Sequence, residues 1–289
     1  MPVKEVFFPP TERLMAIEIA GQQVDLQETL PQGRLVVFGV RPCDARGVKV
    51  LDAAFVETSP VDPYYAARRK SAILIGLACH QMHPGCFCTS MGLSPVDGRD
   101  MDLMLVELER GYLVQVFSDK GEEFLELHPL VPGPAVYLDH REEPALIQPA
   151  NKPAVPSPAA VPWLKRFEDP YWEEMAERCL SCRVCAYACP TCRCFAVRDE
   201  ALPASGPGKY ERIRCWDSCA GENYRRIAGG HNPRPQNGQR LRNRFMCKFY
   251  YYPQQYGPQA CTGCGRCIEL CPVNIDITEV LRDLAEVEV

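Results

Sequence analysis

The sequence predicts an α+β chain: a mixed α/β domain over residues 1–141, a Pro-rich connector over 142–165, and a mostly helical, cysteine-dense domain over 166–289. Three observations predict it. Short apolar runs bounded by turn residues, with helical periodicity between them, occupy the first half. Pro144, Pro149, Pro153, Pro156, Pro158 and Pro162 then crowd one stretch, where neither a helix nor a central strand persists. Beyond it lie thirteen of the seventeen cysteines.

In the first domain, Arg34–Val40 is a buried-strand signal, followed by a turn at Arg41-Pro42-Cys43-Asp44 and a helix with Val48, Leu51 and Phe55 on one face. Ser71–Ala78 is a second buried strand. Leu103–Glu109, Gly111 and Tyr112–Ser118 read as a hairpin, with the next turn at Lys120-Gly121. Past the connector, Pro170–Cys179 is a short amphipathic helix with Trp172, Met175 and Ala176 on one side, delivering Cys179 at its end. A last helix opens at Asp276, with Glu279 completing a capping-box pair and Ile277, Val280, Leu281 and Leu284 at helical spacing.

The cysteines carry the chemistry. Cys179, Cys182, Cys185 and Cys189-Pro190 repeat the spacing of Cys261, Cys264, Cys267 and Cys271-Pro272. Both read C-x-x-C-x-x-C-x-x-x-C-P, in which three thiolates wrap one 4Fe-4S cube and the fourth reaches the other. By that rule, cluster I takes Cys179, Cys182, Cys185 and Cys271, and cluster II takes Cys261, Cys264, Cys267 and Cys189. Zinc is the alternative for C-x-x-C pairs, but it has no use for a third cysteine at the same interval and a fourth before proline. The motifs are separated by 71 residues (190–260). The expected unit is therefore an α-helical ferredoxin-type dicluster domain with a large insertion, not a minimal two-motif ferredoxin.

Nine cysteines remain. Cys43, Cys79, Cys86 and Cys88 follow strand ends, which meet along one sheet edge. They predict a third cluster, 4Fe-4S rather than 2Fe-2S, with Asp44, His80 or His83 as substitute ligands; ordinary buried cysteines are the alternative. Cys192, Cys194, Cys215, Cys219 and Cys247 surround the insertion. Cys192, Cys194, Cys219 and Cys247 are the best set for a fourth cluster, with plain packing as the rival.

Between Asn223 and Ile268 stand eight basic residues, Arg225, Arg226, Arg240, Arg242, Arg244 and Lys248 among them, and no acid. A solvated face, compensation of cluster charge and docking of an acidic partner all fit such a run. Nucleic acid fits poorly, since the chain is 24% charged with a net charge of -5 and a pI near 5.7. Met1-Pro2-Val3-Lys4 leads into no signal-like segment and no apolar run spans a bilayer, which predicts a cytoplasmic chain without membrane insertion. No Gly-rich dinucleotide fingerprint follows a strand, so no flavin or nicotinamide site is expected in this chain.

Several stretches resemble one family. Gly39-Val40-Arg41-Pro42-Cys43-Asp44, Cys86-Phe87-Cys88-Thr89-Ser90, Cys189-Pro190-Thr191-Cys192-Arg193-Cys194-Phe195, Trp216-Asp217-Ser218-Cys219 and Arg242-Asn243-Arg244 resemble the β subunit of cytosolic sulfhydrogenases, NAD(P)-linked nickel-iron hydrogenases also called sulfur reductases. An iron-sulfur subunit of anaerobic sulfite reductase is similar. The resemblance implies a non-catalytic iron-sulfur subunit that relays electrons between one partner that binds FAD and NAD(P)H and another that is metal-bearing and catalytic. It departs from the hydrogenase pattern at Cys215 and at Cys247, where His is familiar before Lys248-Phe249. That departure leaves open a sulfite- or heterodisulfide-reductase type of complex, or a chain that reduces disulfides or sulfur itself through an extra cysteine-ligated cluster.

Overall fold

The computed structural model describes residues 2–108, 111–128 and 155–285. Eight strands among them are β1 (Thr11–Ala20), β2 (Gln23–Glu28), β3 (Leu35–Val40), β4 (Ala72–Leu77), β5 (Leu103–Leu108), β6 (Gly111–Val116), β7 (Phe195–Ala201) and β8 (Lys209–Trp216). The helices are α1 (Lys4–Phe7), α2 (Pro42–Phe55), α3 (Pro63–Ser71), α4 (Asp119–Leu127), α5 (Tyr171–Glu177), α6 (Val184–Tyr187), α7 (Asn237–Met246), α8 (Tyr252–Tyr256), α9 (Arg266–Glu269) and α10 (Ile277–Ala285). The α+β class expected from the sequence is borne out.

One sheet has the order β3-β4-β5-β6, the first three parallel and β6 antiparallel to β5. Its parallel strands send their C-terminal ends, and so Cys43 and Cys79, to one edge. Leu51, Leu74, Met104 and Phe8 fill the core beneath it. Two local expectations are corrected. Val36 and Phe38 of β3 are exposed, because β3 is an edge strand covered on one face only. Lys120-Gly121 is no turn but the first turn of α4, where Ser118 Oγ accepts the Gly121 N–H at 3.2 Å as an N-cap.

The second sheet has the order β2-β1-β8-β7 and joins the two halves of the sequence. β1 pairs antiparallel with β8 from Thr11↔Cys215 to Glu18↔Lys209. Under that seam, buried Arg214 donates through Nε to Glu12 Oε2 at 3.1 Å and also engages Asp62, while Arg68 takes the other Glu12 oxygen. A buried arginine holding two carboxylates is stable only with such full pairing. The insertion between the cysteine motifs thus supplies two strands to the N-terminal part.

Residues 142–154 of the expected connector lie outside the described residues. Within 155–165, Val155, Val161 and Trp163 are buried in the core of the cysteine-rich half, with Trp163 stacked on Phe249 at 5.5 Å. Trp172 of α5, Phe245 of α7 and Val280, Leu281 and Leu284 of α10 form the rest of that core.

Candidate iron-sulfur centres

Cys179 follows α5, Cys185 lies in α6 and Cys271 follows α9; Cys182 sits on the loop between the first two. These four cysteines, with Cys267 of the second motif, line one cavity together with Leu241, Phe245 and Ile277. The loop turns tightly: Ser181 and Arg183 hold φ of 51° and 67°, left-handed values that side chains adopt only when the surroundings impose them. Asn237 at the start of α7 imposes them, bonding Ser181 Oγ at 2.8 Å and the carbonyls of Ala176 and Cys179 at 3.0 Å. The Ile275 N–H points at Cys271 Sγ at 3.3 Å. Burial pushes the Cys179 thiol up, and the charges of Cys185, Cys182 and Cys271 push the same way.

Cys261, Cys264, Cys267 and Cys189 form a second set, each within electrostatic reach of the others. Burial pushes Cys261 to about 11 and Cys264 and Cys267 to about 12. Cys189 of the first motif thus lies among the cysteines of the second, the neighbourhood that the expected crossover requires. Lys248, on the π-turn after α7, donates to Cys189 Sγ at 3.1 Å, Thr191 Oγ1 at 3.2 Å, Ala260 O at 3.1 Å and Cys192 Sγ at 3.6 Å. A hydrogen bond from Cys192 holds the Cys189 thiol well below its ordinary value, and the charges of Lys248, Arg244 and Lys4 add to it against the upward push of burial.

The N-terminal four converge beside this second set. Cys43 opens α2, Cys79 follows β4, and Cys86 and Cys88 lie on the next loop. Burial pushes Cys43 and Cys79 up and Cys88 to about 11, and neighbouring cysteines, Cys264 included, add to the push. The loop meets the second motif backbone to backbone: Phe87 N–H donates to Gly263 O at 2.8 Å. A Cβ on Gly263 would stand 2.6 Å from the Cys88 Cα, and one on Gly265 2.3 Å from the Gly85 carbonyl carbon. Only glycine permits that approach. Asp44 clamps Arg266 in a two-pronged pair at 2.6 and 2.5 Å. Of the substitute ligands, Asp44 is thereby engaged, His80 Nε2 stands 2.7 Å from Glu107 and His83 Nε2 3.5 Å from Glu269.

In the insertion, Cys194 and Cys219 share a side-chain hydrogen bond, and Cys192 lies within reach of Cys219 and against Cys189. That bond holds the Cys194 thiol down to about 6, with Tyr224 contributing. Cys247 faces the Arg193 guanidinium, itself over the Tyr252 ring at 4.3 Å. Cys215 lies in β8 opposite Thr11 and Ala196.

The charge around these sulfurs tests whether clusters fit. Lys4, Arg244 and Lys248 are only 2, 5 and 4% exposed, and among the described residues none of the three forms an ion pair with a carboxylate. Their nearest counter-charges are sulfurs. Arg244 is held charged, against burial, by Cys185, Cys267, Cys192 and Cys189, and so spans both motifs. Lys4 bonds Ala186 O and Cys192 O at 3.1 Å and covers the Trp216 ring. Buried cations need buried anions, and cluster-bound thiolates supply them, whereas neutral thiols would not. Among the described residues no group of three or more His, Cys, Asp or Glu closes on a single metal ion. Cysteines ringing a cavity suit a polynuclear cluster better than zinc. Sequence reading missed Lys4; a lone lysine amid Val3, Val6, Phe7 and Phe8 was its only signal.

Paired cysteine loops of ferredoxin-type spacing, wrapped by helices, define an iron-sulfur protein. The family model of the 4Fe-4S dicluster domain matches residues 178–275, which contain all eight cysteines of the two motifs. Across 99% of its length the chain is 36% identical to sulfhydrogenase 2 subunit beta of Pyrococcus furiosus, covering 83% of that protein. The chain belongs to the sulfhydrogenase β-subunit family. No solved structure matches it. No helix among the described residues is long and apolar enough to cross a membrane.

Proposed function

We propose that the chain is the iron-sulfur electron-relay subunit of a cytoplasmic, hydrogenase-like complex, joining an FAD- and NAD(P)H-binding subunit to a metal-bearing catalytic subunit. Cys179, Cys182, Cys185 and Cys271 hold one 4Fe-4S cluster, and Cys261, Cys264, Cys267 and Cys189 the second. Cys43, Cys79, Cys86 and Cys88 hold a third, and Cys192, Cys194 and Cys219, with Cys247, are the set for a fourth. Bound clusters of this kind take up and release single electrons.

The observation that carries the reading is the backbone contact of Gly263 and Gly265 with the Gly85–Cys88 loop. It packs the N-terminal cysteines against the second motif with no side chain between, which is the placement a relay needs and a metal-stabilised scaffold does not. The protein supplies fixed ligands, N–H donors such as Ile275 to Cys271 Sγ, and the buried charges of Arg244 and Lys248.

The test is an anaerobic preparation of the native complex, with iron counted per chain and subunits identified by mass spectrometry. About twelve irons or more, in the company of a flavin subunit plus a nickel-iron one, is the expected result. A sulfite- or disulfide-reducing partner would keep the relay and change the reaction. Zinc in place of iron would end the reading.

A further inference from the structure

Seventeen cysteines lie in the chain and one of them, Cys182, is exposed; the others are buried or half-buried. Two leucines that adjoin cysteines of the same cavity have their side chains in solvent. Leu180, in the same loop, is 65% exposed, and Leu270, immediately before Cys271, is 47% exposed. The most exposed cysteine of the chain thus stands two residues from an exposed leucine, with a second exposed leucine next to Cys271 of the same cavity, so apolar side chains meet solvent around this ligand set.

The loop over 222–236 borders the patch at both ends. At its start, a Cβ on Gly221 would stand 3.0 Å from Arg183 Cζ, so the backbone lies flat on the guanidinium next to Cys182. At its end, Asn237 holds Ser181 and the Cys179 carbonyl. Between those anchors stand Arg225, Arg226 and Arg234 against one carboxylate, Glu222. Arg225 and Arg226 are exposed, and Ile227 beside them is 58% exposed. Glu222 pairs with Arg226 at 3.7 Å, so the three arginines leave this loop with a net charge of about +2 beside the apolar centre, a charged border next to an apolar patch as in a specific interface.

We propose that this surface, Cys182 with Leu180 and Leu270 inside the Arg225–Arg226 rim, is where an acidic redox subunit docks. The proposal rests on the relay reading and adds the entry or exit face. Electron exchange needs the partner's centre brought close, and a ligand already at the surface removes the intervening protein. The cationic rim selects an acidic partner and speeds its encounter, while the leucines give it something apolar to cover. Strand β2 is fully exposed too, with Val24 and Leu26 at 57 and 59%, but it carries no cysteine, which makes it the control surface.

The test uses the whole complex assembled on full-length chain carrying Arg225→Glu with Arg226→Glu, separately Leu180→Asp, and Leu26→Asp as control. Subunit retention is followed by native mass spectrometry at low and high ionic strength, with iron content and EPR recorded on each sample. The double charge reversal should keep the wild-type iron and EPR signature yet weaken, by about tenfold or more at low ionic strength, the retention of one redox subunit. Leu26→Asp should change nothing. Full retention in the double variant with its clusters intact overturns the proposal, as does release of a second copy of this chain instead of a redox subunit. Absence of any iron-sulfur signal in the wild type would sink the relay reading itself, whatever the surface does. Leu180→Asp weighs in the same sense when its iron matches the wild type, and the double variant decides when it does not.

Discussion

Replacing Lys248 by Met should make the second cluster harder to reduce. The ammonium is buried and lies 3.1 Å from Cys189 Sγ. An added electron spreads beyond that sulfur, so an effective separation of about 6 Å is appropriate; at an effective dielectric of about 20 the lost attraction is about 3 kcal/mol. At ~59 mV for each ~1.4 kcal/mol in a one-electron couple, the potential should fall by about 120 mV. The sign follows from charge: a cation favours the more negative, reduced state, and its removal disfavours it. Burial keeps salt from screening the effect. The assay is an EPR-monitored redox titration of wild type, Lys248→Met and Lys248→Arg, with iron counted in each. Lys248→Arg retains the charge and should stay near wild type. A Lys248→Met protein with full iron and both potentials unmoved would refute the assignment of Lys248 to this cluster.

Three further outcomes follow from the packing. Gly263→Ala places a methyl group into the Cys88 backbone at a φ of +64° and should cost about 3 kcal/mol, lowering the melting temperature and the iron content of the N-terminal site. Asp44→Asn removes one side of the buried pair with Arg266, and should cost about 3 kcal/mol by thermal or denaturant unfolding, while the conservative Asp44→Glu loses less. Trp172→Ala empties a site packed on Phe245 at 5.8 Å and removes the Nε1 hydrogen bond to the Arg166 carbonyl at 2.7 Å; a loss of about 3–5 kcal/mol in unfolding free energy is expected.

The parts of this fold that sequence disclosed are those whose signal is local. The ligand spacing, the amphipathic α5 and α10, and the apolar strands β3 and β4 each declare themselves within a dozen residues. The sheet β2-β1-β8-β7 does not. Its strands are mostly polar and exposed, so β7 (Phe-Ala-Val-Arg-Asp-Glu-Ala) and β8 (Lys-Tyr-Glu-Arg-Ile-Arg-Cys-Trp) carry no apolar run to read. Their partner β1 lies about two hundred residues away, and pairing at that range is set by contacts such as Arg214 with Glu12, which no window sees. The same holds at the centres. Spacing grouped Cys179 with Cys271 and Cys261 with Cys189, but only the folded chain places Lys4, 188 residues upstream, against Cys192 O.

That interleaving has a functional consequence. A relay works at separations fixed to within an ångström or so, and two domains tethered by a Pro-rich segment alone would wander relative to one another. Here three separate ties hold them: β1 on β8 with its cross-strand Glu12–Arg214 pair, Asp44 on Arg266, and the Gly263 backbone on the Phe87–Cys88 backbone. Each of the three includes polar contacts between sequence-distant residues, which carry register and not merely adhesion. The N-terminal cysteines and the second motif are thus positioned relative to one another by direct protein contacts. Loosening one tie should therefore change electron exchange between the centres before it changes what any single centre binds.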